Sequence, residues 1–343
     1  MSDRIDGLRE VDQDQATAPD EHPRTDCPRG GSRTFVDGQG FTRLHFDGEL
    51  RRLGSHWARF WAGCDPLSAA DEVRARLDAA VAAWDLDGVE VLAGGVVALV
   101  CGARRHGEPV VVKVHPRVAG SEALRFEGDA LTFWAHTGAV AGLYDRRDDG
   151  FTVLLERLMP GRRLEGVGLG VVECLSQMGR LAARLHSAGP PPADWDLPGP
   201  APGPTACAHP VVRAALDRLG DADPRCHEAL LHGDLHARNV LLHGTAWRVI
   251  DPHGQRGDRH AEVWPLLEAS AAFPAQRSGD GRLAWTWVEA YAGAAEMDAE
   301  RVAAWARLLA RAQAYGYDAR TQCDEEERAW AASLHRLADA LSR

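Results

Sequence analysis

Lysine is almost missing from this chain: of 39 basic residues 38 are arginine, and Lys113 stands alone. Nor does any apolar run approach the ~18 residues that a membrane-crossing helix requires, so a soluble protein with no membrane partner is expected. The seven cysteines (Cys27, Cys64, Cys101, Cys174, Cys207, Cys226 and Cys323) are odd in number and scattered, with no C-x-x-C pair. That leaves no disulfide framework, zinc knuckle or redox couple, and suits a reducing compartment. Basic surplus is absent too. With a formal net charge of −11 the chain offers no counterpart to a nucleic-acid backbone, whereas a cationic ligand would be welcome. The opening stretch "MSDRIDGLRE" lacks the apolar core of a secretory signal, so a cytoplasmic location is expected. Nothing in the pattern bears on oligomeric state.

What is present suggests two lobes. At 343 residues the chain exceeds the roughly 250 to 300 at which single cores stop growing. Residues 1–40 are poor in large apolar side chains and are expected to form a disordered tail. From 41 to 157, two helical patterns ("ELRRLGSHWARFW", "AADEVRARLDAAVAAW") feed short β-rich runs ("VEVLAGG", "VVALVCGA", "PVVVKVHP"), the signature of a small antiparallel sheet. "SEALRFEGDALTFWAH" follows as a helix with Ser121 as its N-cap, and "FTVLLERLMPG" as a strand ending at Pro160 and Gly161. Residues 158–343 read as mainly helical, with Gly189 ending one helix. Two short strands around a Gly-Thr turn interrupt in "VLLHGTAWRVIDP". The Pro-rich segment 189–210 is expected to be a functional or mobile loop. The fold class is therefore α+β, with a β-rich first lobe and a larger helical second one.

Lys113 lies inside an apolar strand, where an ammonium is costly unless an anion faces it. In a chain that otherwise uses arginine, a retained lysine implies a need for a compact point charge, of the kind that suits phosphate oxygens. In the next helix Leu124, Glu127, Leu131 and Trp134 share a face, so Glu127 interrupts an apolar stripe and is the expected partner of Lys113. Further on, in "LLHGDLHARNVLL" and "RVIDPHG", Asp234 and Asn239 stand five apart in a polar loop, and Asp251 ends a β-like run twelve residues later. An acid, an amide and a second acid at the ends of one hairpin suit phosphoryl transfer, which needs a carboxylate for the attacking hydroxyl and oxygen ligands for magnesium.

These motifs resemble the kinase-like phosphotransferases, in which "HGD-x-H-x-x-N" and "IDP" replace the HRD and DFG of protein kinases. More narrowly, "LLERLMPGRRL", "LAARLH", "LLHGDLHARNVLL" and "WRVIDPHGQRGDRHAEVWPLL" are similar to the aminoglycoside/hydroxyurea antibiotic resistance kinases, the group that contains streptomycin 6-phosphotransferases, from about residue 85 to 335. The resemblance implies a two-lobed protein-kinase-like fold and ATP with Mg2+ as cofactors. Lys113 would touch the ATP phosphates, Glu127 would hold it, Asp234 would be the catalytic base, and Asn239 and Asp251 the metal ligands. It also implies that the backbone of Glu156 to Leu158 meets adenine, and that Gly94 and Gly95 lie over the phosphates. The acceptor would be a hydroxyl of a cationic, streptomycin-like aminocyclitol; hydroxyurea, a viomycin-type peptide or a metabolite are the alternatives. Acidic and aromatic residues of the last third (Glu289, Asp318, Asp324 to Glu327, Trp285, Trp287, Tyr291, Trp330) are candidates for its wall.

Where the family has Asp in "GD-x-x-x-D-x-W-P", this chain has Glu262. Two readings of other classes compete. A metal hydrolase built on His232, His236, His243, His253 and His260 leaves Lys113 unexplained and lacks a zinc spacing; His232 fits better as a support for the loop, and His253 and His260 as exposed residues. A silent nucleotide-binding protein would be expected to have lost the base or a metal ligand, and none is lost. A protein kinase is disfavoured because "DPHG" lacks the Phe of DFG and no A-P-E follows. If Lys113 acts as a point charge, Lys113→Arg lowers turnover by about a hundredfold or more although charge is kept. Steady-state kinetics on the purified variant checks this, and near-normal turnover contradicts it.

Overall fold

Two helices precede the first strand. The second, α2 (Pro66–Trp84), is capped by Asp65, whose carboxylate accepts from the Ser68 N–H at 3.1 Å, with proline at the first helical position; it ends where Asp85 turns left-handed at φ 51°. The first, α1 (Gln39–Phe60), packs along it. In this computed structural model residues 39–61, 63–92, 95, 97–200, 209–220, 228–272, 281–320 and 323–342 are described. The tail expected over 1–40 falls outside them, except that Gln39 and Gly40 open α1.

Beyond α2, β1 (Leu86–Val91), β2 (Leu99–Arg105), β3 (Glu108–Val114), β4 (Leu143–Arg147) and β5 (Thr152–Glu156) form one antiparallel sheet in the order β1-β2-β3-β5-β4. Strand alternation sorts β3 between two cores. Val110, Val112 and Val114 face α1 and α2 and pack with Leu53, Trp57, Val73 and Trp84. Val111 and Lys113 point the other way, paired in register with Leu155 and Val153 of β5, which belong to the larger core.

The helix expected over 121–136 is broken. Residues Glu122–Phe126 wind as a 3-10 turn, and the α-helix proper, α3, runs only from Glu127 to Trp134. Ser121 is not its N-cap. Its hydroxyl donates to the Pro116 and Val118 carbonyls (3.0 and 2.7 Å), so it folds the preceding loop instead of capping the turn.

The second part of the chain is helical around a small β layer. β6 (Pro160–Arg163), β8 (Val240–His243) and β9 (Ala246–Val249) form one sheet, and β7 (Glu228–Leu231) pairs with β10 (Gln255–Asp258). The hairpin β8–β9 turns at Gly244, φ 58°, as the Gly-Thr pair predicts. Around them stand α4 (Val171–His186), α5 (Pro210–Gly220), α6 (Trp264–Ala272), α7 (Gly281–Ala294), α8 (Ala299–Asp318) and α9 (Glu325–Ala340). In α4, Val171, Cys174, Leu175, Met178, Leu181, Ala182 and Leu185 make the apolar stripe that buries the helix against its neighbours. The described part of the Pro-rich loop is pinned: Arg256 of β10 donates to the carbonyls of Pro192 and Trp195, and its own N–H to that of Pro198. Residues 201–208 of the loop lie outside the described residues.

The aromatic part of the expected ligand wall on α7 belongs to this core, whereas Glu289 and Asp318 are exposed. Trp285, Trp287 and Tyr291 are buried on α7, and Asp324 with Glu327 forms the capping box of α9. Two helices pack closely at Gly179 of α4, where a Cβ would lie 2.5 Å from the Tyr291 carbonyl and 2.9 Å from the Ala294 Cβ. Gly179→Ala therefore lowers the unfolding free energy by about 1–3 kcal/mol. Denaturant titration measures it, and an unchanged midpoint would mean the two helices can separate freely.

Candidate active site

The β3 alternation carries Lys113 onto the larger-core side of the sheet, and the start of α3 brings Glu127 to meet it: Nζ lies 2.9 Å from Glu127 Oε2, with the side chains 7% and 2% exposed. A second carboxylate reaches the same ammonium from 138 residues away, Asp251, bonded to Nζ through Oδ1. Burial alone would discharge the lysine; the two carboxylates outweigh it and hold its pKa above the ordinary value. In return Lys113 holds both carboxyls below theirs, that of Glu127 against its full burial and that of Asp251 against the partial loss of water around it.

Glu127 has one more partner, which sequence reasoning did not single out. His115 follows Lys113 by two positions, so it leaves the strand on the same face, and its Nε2 lies 2.7 Å from Glu127 Oε2. It is 1% exposed, and burial, then the Lys113 charge, keeps it below the usual histidine pKa.

Asp251 itself is two-fifths exposed and sits at φ 63°, a left-handed conformation that a non-glycine residue adopts at a cost and that recurs at functional sites. Just before it the hairpin strand ends, so the turn lifts the carboxylate toward Lys113. The loop between β7 and β8 brings up the other residues. Asn239 Nδ2 donates to the Asp234 carbonyl (3.0 Å) and to its Oδ2 (3.2 Å). His236 Nε2 stands 3.4 Å and His253 Nε2 3.9 Å from the same Oδ2. Among the described residues no donor reaches Asp234 Oδ1 or Asn239 Oδ1. The first leaves a carboxylate oxygen for an incoming group, and the second leaves an amide oxygen.

That loop is held from beneath. His232 is fully buried and stacked on Trp134 of α3; its Nδ1 accepts from the Asp234 N–H (3.2 Å) and its Nε2 donates to the Ile250 carbonyl (3.0 Å). Burial drives its pKa down to about 4, so it stays neutral, in the tautomer this pair of bonds requires. Glu262, in place of the family's aspartate, lies under the loop at 1% exposure. Its carboxyl accepts from the N–H groups of His232 (2.5 Å) and Gly233 (3.2 Å), while Tyr291 Oη donates to its carbonyl (2.5 Å). Gly233 adopts φ 78°, and a Cβ there would meet the Gln255 side chain at 2.9 Å.

Other predicted residues fall elsewhere. His260 is not exposed but 1% accessible, with Nδ1 2.6 Å from Asp258, because Asp258 is a buried anchor that also takes Arg301 and Trp305. His253 is half-exposed beside Asp234. Among the described residues no group of three or more His, Cys, Asp or Glu converges as metal ligands. Glu156 ends β5 with its N–H bonded to the Gly142 carbonyl and its carboxylate to the Gly142 N–H (3.0 Å) and Arg248 (2.6 Å), an anchor between the sheet and the hairpin. The backbone groups of Leu158 meet no such partner among the described residues. Gly95 lies in the β1–β2 turn; Gly94 is outside the described residues.

The family model described as aminoglycoside/hydroxyurea antibiotic resistance kinase matches residues 84–200 and 208–319. The chain belongs to that family. It is thus an enzyme of the small-molecule phosphotransferases, which move phosphate to a hydroxyl group. Among solved structures, choline kinase LicA from Streptococcus pneumoniae is similar at 15% identity and a TM-score of 0.53, over 77% of this chain and 98% of that one. A second structure of LicA, in complex with AMP, matches at the same identity and TM-score, over 78% of this chain and 98% of that one. A choline/ethanolamine kinase family protein from Mesorhizobium loti follows at 15% identity and a TM-score of 0.51, over 80% and 95%. At such identity these matches establish the kinase-like fold alone. No curated protein sequence matches this chain. No helix among the described residues is long and apolar enough to cross a membrane.

Glu262 makes the kinase's loop sensitive to pH. Burial raises its carboxyl to about 7, against the pull of the two amide bonds, from an ordinary 4.5. Between those values the folded chain holds a proton that the unfolded chain has released, so this group's contribution to stability falls as pH rises and levels off above about 7. The difference in unfolding free energy between wild type and Glu262→Gln is expected to follow that course from pH 4.5 to 8. A flat difference contradicts it.

Proposed function

We propose that this kinase transfers the γ-phosphate of ATP, with Mg2+, to a hydroxyl of a cationic aminocyclitol antibiotic of the streptomycin class. The observation that carries the reading is that Lys113, Glu127 and Asp251 meet from three separate segments, while the loop of Asp234 and Asn239, a fourth, is tied beside Asp251 by the Ile250 N–H bonded to the Asn239 carbonyl. Lys113 binds the phosphates as a point charge, and Glu127 keeps it charged and aimed. Asp234 takes the proton of the attacking hydroxyl through its free Oδ1 as the new O–P bond forms and the β–γ bridge breaks. Its other oxygen stays oriented by Asn239 and His236. The Leu158 backbone, at the end of the sheet, meets the adenine edge, and Gly95 lies on the phosphate side.

The donor set suits magnesium. Asp251 presents a carboxylate and Asn239 an amide oxygen, two hard ligands, which is the number this ion takes from protein when substrate phosphates and water complete its shell. When bound, it would neutralise charge on the phosphates. Asp251, held by Lys113, must then turn from ammonium to metal, while Glu127 remains.

A cationic acceptor is supported by the acidity of the chain. Glu268 is already ion-paired with Arg238, and burial, ahead of the charges of Asp234 and Glu165, raises its carboxyl. Glu165 is exposed and has no ion-pair partner among the described residues. The chain as a whole carries −11. With ATP as donor, the reaction would belong to the cytoplasm.

The test is magnesium-dependent transfer from ATP to a panel of streptomycin, other aminoglycosides, viomycin, hydroxyurea and choline, with products weighed by mass spectrometry and Asp234→Ala as control. One phosphate gained on streptomycin or a close relative, and lost in the control, is the expected result. Transfer only to another member of the panel overturns the substrate class, and nucleotide binding without any transfer favours a silent binding protein.

A further inference from the structure

The family match begins at residue 84, so α1 and most of α2 stand before it, yet their side chains reach the backbone around the nucleotide-facing residues. Trp57 of α1 is fully buried, and its indole N–H donates to the Val97 carbonyl at 2.8 Å. Five residues earlier Arg52 donates to the Gly95 carbonyl, its guanidinium held in turn by both oxygens of Glu49 at 2.9 and 2.6 Å. Gly95 tolerates no side chain, since a Cβ would stand 2.4 Å from the Ala98 carbonyl. From α2, Arg76 donates to the carbonyl of His115, two residues past Lys113, and reaches the Phe151 carbonyl at 3.5 Å.

These bonds have a direction. α1 packs on the sheet face opposite to the one that carries Lys113. The Gly95 and Val97 carbonyls, drawn toward α1, are drawn away from the Lys113 face, where their negative ends would oppose phosphate. We infer that α1 is a positioning element for the phosphate end of the nucleotide, acting through Trp57 and Arg52 on the Val97 and Gly95 carbonyls. The inference rests on the proposed nucleotide site. Neither side chain touches the nucleotide; both act on the backbone that does.

Calorimetric titration of the full chain with Mg-ATP, and separately with adenosine, tests it in wild type, Trp57→Phe and Arg52→Gln. Trp57→Phe keeps the ring in the core and deletes only the donor; the Arg52 side chain is 40% exposed, so its variant stays testable if the first does not fold. Each variant is expected to bind ATP about tenfold more weakly, the loss of one hydrogen bond, with adenosine affinity changed by no more than about twofold. A merely structural role would weaken both ligands alike, and that result, or unchanged ATP affinity in both variants, overturns the inference while leaving the nucleotide site intact. A wild-type chain that binds neither ATP nor adenosine removes that site, and this inference with it.

Discussion

Everything at this site depends on keeping one ammonium charged where water scarcely reaches. Lys113 is 7% exposed, and a lone charge so placed would give up its proton or unfold the strand around it. Two carboxylates prevent this, Glu127 from the start of α3 and Asp251 from the hairpin end. One is a buried, fixed partner. The other is two-fifths exposed and can be exchanged for a ligand. The asymmetry suits the proposed nucleotide site: were Asp251 to leave, Glu127 would stay to hold the charge, and the vacated side would be open to a phosphate.

The surrounding structure serves that arrangement at several removes. Alternation along β3 separates a valine face, packed on α1 and α2, from the face that carries Lys113. The same period of two puts His115 on Glu127. Opposite, Glu262 and His232 shape the loop that presents Asp234, and Trp134 of α3, stacked on His232, joins the two halves one helical length from Glu127. A buried carboxyl bonded only to amide N–H groups has no cation to hold its charge, which is why Glu262, unlike Glu127, is pushed up the pH scale.

Much of this could be read from the chain because local rules and the final packing agree. A polar residue on an apolar helical stripe announced Glu127, and the Gly-Thr pair between two short apolar runs announced the hairpin. The Lys113–Asp251 contact left no local trace, since 138 residues separate its partners. His115 had a signal, its place two residues beyond the lysine. The tryptophans of α7 were misassigned because an apolar stripe of a buried helix and an aromatic wall look alike in sequence. β4 escaped notice as an edge strand whose "LYDRR" is mostly exposed and does not alternate. The break before α3 turned on whether Ser121 bonds forward to a helix or backward to a loop, a choice that propensity does not decide.

The central claim is that Asp251 and the nucleotide exchange places on Lys113 while Glu127 does not move. A crystal structure with Mg2+ and a non-hydrolysable ATP analogue measures it through two distances. The account predicts that Lys113 Nζ stays near the 2.9 Å it now keeps from Glu127 and passes beyond hydrogen-bond reach of Asp251, which turns to the metal. A bound analogue with the Lys113–Asp251 bond intact, or with Glu127 displaced instead, would contradict it.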